Sequence, residues 1–256
     1  GHAVRRRVFV LLLQPLRGVL RRPARNGQKR VAREDRRIGR PAFREIPSKV
    51  MIDLHTHVLP GLDDGAADET AALALCRLAL EDGIRTLVAT PHLYGGLGVA
   101  DPRMIPAAAE RLRQRLREER IELDLRWAAE MPLLENVVEL YRTGIWPAYD
   151  VQRRYVLLEM APLVNGLAIL KETVFRLRLE GAVPVLAHPE RLDFLDRLAD
   201  VEGLRNQGAV LQITAACLLA PGSSSCRRAT EWVHRGWVQV VASDAHDPVR
   251  RPPRMA

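Results

Sequence analysis

The sequence predicts an α/β domain built on parallel strands closed into a barrel, and three observations carry that expectation. From residue 50 onward short apolar runs alternate with helical stretches. Most runs are rich in Val, Ile and Leu without strict polar alternation. Histidines and carboxylates gather where the runs end. Alternation of this kind implies parallel strands, in an open doubly wound sheet or a barrel. Apolar runs without alternation suit strands buried on both faces. Polar groups converging at the C-terminal ends of successive strands favour the barrel.

Seven runs read as strands: Val50–Leu54, Arg85–Ala89, Leu123–Ala128, Tyr155–Leu158, Val183–Ala187, Ala209–Ile213 and Val238–Ala242. Ala71, Ala72, Leu75, Leu78 and Ala79 share one helical face, which stops at Glu81-Asp82-Gly83. Pro106–Arg120 sets Leu112 and Leu116 among many charges and reads as a surface helix. Leu167–Leu179, Leu192–Asn206 and Ser224–Arg235 complete the helices, with Gly181, Gly208 and Gly236 placed as C-terminal caps.

The 256 residues, 47% hydrophobic and 27% charged, suit one medium-sized domain with a substantial core. The net charge of +8 is unevenly spread. Residues 1–49 hold 15 Lys and Arg against 3 Asp and Glu, which leaves 24 basic and 28 acidic residues for the remainder. The basic segment has four prolines and little apolar periodicity, and reads as a disordered or non-native extension. The folded part, net acidic, is not expected to bind nucleic acid. No apolar run reaches the roughly 18 residues of a membrane-spanning helix. Val8–Leu13 follows three arginines but is too short for a secretory signal and lacks a small-residue cleavage site. Cys76, Cys217 and Cys226 have no CxxC spacing and read as reduced thiols of a cytoplasmic protein.

Almost every strand ends in a group able to bind a metal. The first supplies Asp53, His55 and His57, and alternate strand residues face one side, so the two histidines can reach a single ion. Asp63 and Asp64 follow in the next loop. His92, Glu130, Glu159 and His188 end the next four strands, with Glu190 and Arg191 just after, and Asp244 and His246 follow the last. One histidine at a strand end is more often a hydrogen-bonded loop residue than a ligand. Five of the seven at one end, beside carboxylates, point to metal; His2 and His234 stand apart and receive no role. Imidazole and carboxylate without thiolate suit Zn²⁺, Mn²⁺ or Fe²⁺, and eight or nine ligands are enough for two or three ions. Clustered ions of this kind serve phosphoryl chemistry. Arg191 and Arg251 are placed to add contacts to phosphate oxygens, although an arginine in a Pro-rich tail such as Arg251 is usually just solvated.

The strings Met-Ile-Asp-Leu-His-Thr-His, Leu-Asp-Asp-Gly, Ala-Thr-Pro-His, Ala-His-Pro-Glu-Arg and Ala-Ser-Asp-Ala-His run in order from Met51. Together with Arg-Pro-Pro-Arg-Met near the end, they resemble the polymerase and histidinol phosphatase (PHP) superfamily. More narrowly, they are similar to the bacterial manganese-dependent protein-tyrosine phosphatases of capsular and exopolysaccharide gene clusters. The resemblance implies a distorted (β/α)7, TIM-like barrel over residues 50–256, C-terminally truncated relative to the family. It implies one ion held by His55, His57, Glu130 and Asp244. Glu130 bridges to a second ion completed by Glu159 and His188, and Asp64, His92 and His246 hold the third. The implied reaction is attack of a metal-activated hydroxide on phosphotyrosine, with Arg191, Asp64 and His246 as catalytic residues and Arg191 and Arg251 on the substrate. Mn²⁺ is the implied metal, with Fe²⁺ or Zn²⁺ as alternatives. The implied partner is a phosphotyrosine protein, a bacterial tyrosine kinase of polysaccharide export. Two other readings stay open: another PHP phosphoesterase such as a histidinol-phosphatase, and a non-catalytic metal-stabilised regulator. No Cys-x5-Arg nucleophile signature is present.

Overall fold

The computed structural model describes residues 51–94, 101–160, 166–219 and 222–256. The extension expected at 1–49, and Val50 at the head of the first predicted strand, lie outside the described residues.

Strand β1 (Met51–Thr56) leads into α1 (Glu69–Glu81), which begins where the Asp68 side chain accepts from Ala71 N and buries Ala72, Leu75, Cys76 and Ala79. The stop at Gly83 is as predicted, with φ at +94°, and β2 (Ile84–Ala89) follows. Helix α2 (Ile105–Glu118) opens with Pro106 in its first turn and buries Ile105, Ala108, Ala109, Leu112 and Leu116 along one face. The remaining elements are β3 (Asp124–Trp127), β4 (Glu130–Pro132), α3 (Val137–Arg142), β5 (Tyr155–Glu159), α4 (Gly166–Leu179), β6 (Val183–Ala187), α5 (Leu198–Asn206), β7 (Val210–Thr214), α6 (Ala216–Leu219), α7 (Ser224–His234) and β8 (Val240–Ala242). No described helix is long and apolar enough to cross a membrane.

All strand pairs among the described residues are parallel, in two sheets ordered β1-β2-β3 and β4-β5-β6-β7-β8. The strand expected over Leu123–Ala128 forms as β3, and a further strand that was not expected, β4, follows it in the other sheet. Ala128 N still donates to Ala89 O, but Ala129 N turns to Pro147 O and Glu130 then pairs with Leu157. Two fully buried alanines leave room for the chain to change sheets at that point. The sheets do not join into one continuous ladder. They meet at two seams, each with one isolated parallel bridge, Thr56 to Ala245 and His92 to Glu130.

The helix expected from Leu192 begins six residues late. Pro189–Arg191 and Asp193–Leu195 form 3-10 turns instead, and Arg228 of α7 explains why. Its guanidinium donates to the Glu190 carbonyl at 2.8 Å and to Asp193 at 3.0 Å, and it also binds Asp196, holding the segment in turns. The short α3 and α6 had no clear apolar period and were not foreseen.

Alternation within the five-stranded sheet explains where the site lies. Val156, Leu158, Leu186, Leu211, Ile213 and Val241 face the helices and join the main core. Leu157, Val185, Ala187, Val210, Val240 and Ala242 face the other way and form a second apolar layer with Tyr149 and Leu54 against it. Farther along the same faces the residues turn polar, at Glu159, Gln212 and Thr214.

Candidate metal centre

His55 and His57 project together from the end of β1, as their spacing required, with Nε2 atoms 3.1 Å apart. Both rings are fully buried, and the proton on each is fixed by a neighbour. His55 Nδ1 donates to Gln212 Oε1 at 2.8 Å. The amide is oriented by its own Nε2, which donates to Ile213 O. His57 Nδ1 donates to Asp63 Oδ2 at 2.7 Å. His246 Nδ1 likewise donates to the Asp244 carbonyl at 2.9 Å. Each ring thereby turns an Nε2 lone pair inward.

Glu130, at the start of β4, receives these lone pairs from several sides. Its Oε2 lies 3.1 Å from His55 Nε2, 3.3 Å from His57 Nε2 and 3.1 Å from His92 Nδ1, while Oε1 faces His188 Nε2 at 3.2 Å. Oε1 is buried and has no hydrogen-bond partner among the described residues. Asp244 Oδ1 stands 3.5 Å from His55 Nε2 and 3.7 Å from His57 Nε2. Glu159 lies 3.5 Å from His92 and 3.7 Å from His188, and Asp64 lies 3.5 Å from both His92 and His246.

Electron pairs this close repel unless a cation lies among them. Donor atoms about 2.1 Å from one ion sit roughly 3.0–3.4 Å from one another, close to the 3.1–3.7 Å separations seen here. Among the described residues four donor groups are compact enough to hold an ion: His57, Asp64, His92 and His246; His55, His57 and Glu130; His55, His188 and Asp244; and His92, Glu130 and Glu159. All nine ligands named from the sequence fall within them. A largely buried donor set of nitrogen and oxygen, with an orphaned carboxylate oxygen at its centre, fits a cluster of divalent transition-metal ions.

Crowded acids and bases split the protonation of these groups. Burial alone would depress His57, but hydrogen bonds to Asp63 and Glu130 overcome it and push the imidazole up to about 10. His246 is pushed down to about 3 by burial and by His57 beside it. Burial raises Glu159, helped by the Glu130 charge, whereas His55, His188 and Arg191 hold Asp244 well below the usual carboxylate range against its burial.

His188 and Asp244, which follow β6 and β8, have φ of +32° and +55°. These left-handed conformations carry a local strain cost typical of functional sites. Asp53 is not aimed at the cluster. Its Oδ1 accepts from Ser243 N at 3.0 Å and its Oδ2 from Ser243 Oγ at 2.5 Å, so it ties β1 to the segment bearing Asp244 and His246. Burial pushes Asp53 up to about 6 against those bonds.

Arg191 Nη2 and Arg251 Nη2 both donate to Asp244 Oδ2 at 2.6 Å, and Arg191 Nη2 donates also to Thr214 Oγ1. Arg251 is thus no freely solvated tail residue, because its backbone bridges Asp247 and its carbonyl accepts from His246 N. A cleft of about 530 Å³ opens beside Asp64 and His246, walled by Pro248, Arg250 and Arg251. The final residues are anchored where Asp82 accepts from Met255 N and Ala256 N.

Gln212 escaped the sequence reading because a neutral amide in an apolar strand has no chemical signature. Replacing Gln212 by Leu is expected to weaken Mn²⁺ binding about 10–100-fold by freeing the His55 ring, the usual effect of losing a group that orients a ligand. Calorimetric Mn²⁺ titration checks it, and unchanged affinity would deny Gln212 that role.

The comparisons with known proteins point one way. Residues 51–256 match the family described as Capsular polysaccharide synthesis, CpsB/CapC. The tyrosine-protein phosphatase YwqE of Bacillus subtilis is 32% identical over 200 residues, 77% of this chain and 78% of that protein. The tyrosine-protein phosphatase CpsB of Streptococcus pneumoniae is 27% identical over 212 residues, 80% of this chain and 86% of that protein. A solved structure from work on YwqE and CpsB, described as metal-dependent tyrosine phosphatases, superposes with a TM-score of 0.72 at 32% identity, covering 80% of this chain and 83% of its own. With the ordered strand-end ligands and the match over the folded part, the chain belongs to the CpsB/CapC family of capsular polysaccharide synthesis.

Proposed function

We propose that this chain is a metal-dependent protein-tyrosine phosphatase that regulates capsule or exopolysaccharide synthesis by dephosphorylating a bacterial tyrosine kinase of polysaccharide export, in the cytoplasm. The observation that carries the reading is the buried convergence on Glu130, whose two oxygens face different donor groups. His55, His57, Glu130 and Asp244 would hold one Mn²⁺, Glu130, Glu159 and His188 a second, and Asp64, His92 and His246 a third. The two sheets then form the walls of one distorted barrel, a reading supported by the single bridges at both seams.

Divalent ions at this place supply Lewis acidity, acidifying water and neutralising phosphoryl charge. The chain supplies the rest. Arg191 and Arg251 spend one N–H each on Asp244, and their remaining donors are available to phosphoryl oxygens. Asp64 and His246 belong both to a donor group and to the cleft wall, so bound ion and substrate would share them. The cleft beside them has room for the tyrosyl side chain of a protein substrate.

Purified protein stripped with EDTA is expected to release no phosphate from a phosphotyrosine peptide and to recover on adding Mn²⁺. Faster turnover of histidinol phosphate than of the peptide would assign the site to a different phosphoester. Bound Mn²⁺ without turnover of either would leave a metal-stabilised regulator.

A further inference from the structure

Strand β7 lends no ligand to the centre, yet it ends against it. Glu190 lies behind that strand end, fully buried, with Oε1 accepting from Thr214 N at 2.8 Å and Oε2 without a partner among the described residues. A buried carboxylate that satisfies one backbone N–H and leaves an oxygen bare is costly to keep, and Glu190 belongs to none of the donor groups. Its own carbonyl is gripped by Arg228, so the residue is held from both ends. The Thr214 hydroxyl, on the residue whose N–H Glu190 holds, accepts from Arg191 Nη2 at 2.9 Å. Arg191 is the next residue after Glu190, so one turn carries both the guanidinium and the carboxylate that locks its hydroxyl partner.

We propose that Glu190 is a positioning residue for Arg191: its buried carboxylate pins the Thr214 end of β7, and the pinned Thr214 hydroxyl sets the guanidinium beside Asp244 for the substrate phosphoryl group. The inference rests on the phosphoryl-binding role given to Arg191 above. Glu190 itself touches neither ion nor substrate.

The test is steady-state kinetics on phosphotyrosine peptide with the Mn²⁺-loaded full chain, comparing Glu190→Leu, Glu190→Gln, Thr214→Val and Arg191→Ala. Glu190→Leu and Thr214→Val are expected to raise KM roughly tenfold with kcat changed less than about threefold, and with bound Mn²⁺ equal to wild type. Glu190→Gln keeps an acceptor for Thr214 N and is expected to restore KM to near the wild-type value. Arg191→Ala is expected to raise KM more than either, and adding Thr214→Val to it should change nothing further. If Arg191→Ala raises KM while Thr214→Val leaves it untouched, the positioning role is overturned and the phosphatase reading stands. If Arg191→Ala itself leaves KM unchanged, the assignment of Arg191 falls and takes this inference with it. Where Glu190→Leu loses thermal stability or metal, Glu190→Asp takes its place, because the shorter carboxylate draws back from Thr214 N, and a wild-type KM there overturns the role.

Discussion

Glu130→Gln is expected to cut phosphotyrosine hydrolysis by at least about a thousandfold and to lower the bound Mn²⁺ by one equivalent or more. The side chain is fully buried and stands within 3.3 Å of four imidazoles, through both oxygens. Glutamine has the same shape but no charge, and one of its two ends is an N–H₂ donor. Whichever way the amide turns, two protons point into lone pairs that the cluster directs at a cation. Removing one charge from a buried ionic set costs about 3–5 kcal/mol, and a thousandfold in rate corresponds to about 4 kcal/mol. The fold should persist, because Leu93 N donates to the Glu130 carbonyl and Glu130 N to Pro91 O whatever the side chain is. Metal analysis, a rate measurement and a thermal melt of the same preparation check all three statements. Full activity with a full complement of Mn²⁺ would remove Glu130 from the centre.

The second large effect lies at Gly65, and it acts through space rather than charge. A methyl group there would stand 2.1 Å from the His57 carbonyl oxygen and 2.4 Å from its Cβ. Both atoms belong to the segment that carries the metal-facing ring, and the His57 carbonyl is already engaged by Ala66 N. On the other side Gly65 N donates to Asp63 Oδ1, so the turn has no slack to give. Gly65→Ala is therefore expected to destabilise the protein by about 3 kcal/mol or more, near the upper end of overpacking costs, and to lower the melting temperature by roughly 6–12 °C. Displacing His57 should also abolish activity. Gly203→Ala in α5 is the control: its nearest neighbour is Lys171 Cε at 3.8 Å, and filling a helix interior there should stabilise by about 0.5–1 kcal/mol. Equal melting temperatures for the two variants would refute the packing argument.

The candidate ligands could be named from the sequence because their chemistry and their period coincide. Histidine and carboxylate at the ends of apolar runs can be recognised residue by residue, and His55 and His57 fall two apart as a strand requires. Several things were hidden. The break between β3 and β4 turns on Ala128 and Ala129, which look like any small buried pair. The late start of α5 depends on Arg228, more than thirty residues downstream, and no local pattern announces such a tie. Asp63 and Asp64 are indistinguishable neighbours in the chain. The fold gives the first to the back of the His57 ring and the second to His92 and His246, and only the direction of the turn separates them. Gln212, Thr214 and Glu190 work through partners, so their roles exist only once the strands are assembled.

The two seams each carry one isolated bridge beside a few backbone hydrogen bonds, and each is flanked by candidate ligands on both sheets. His92 meets Glu130 across one, while His55 and His57 meet Asp244 and His246 across the other. Ions coordinated there would act as rivets added to the backbone bonds along the edges of two plates. Catalytic and mechanical integrity would then be linked: a chain drained of metal would lose its chemistry and, in the same event, fasteners that help to keep its halves in register.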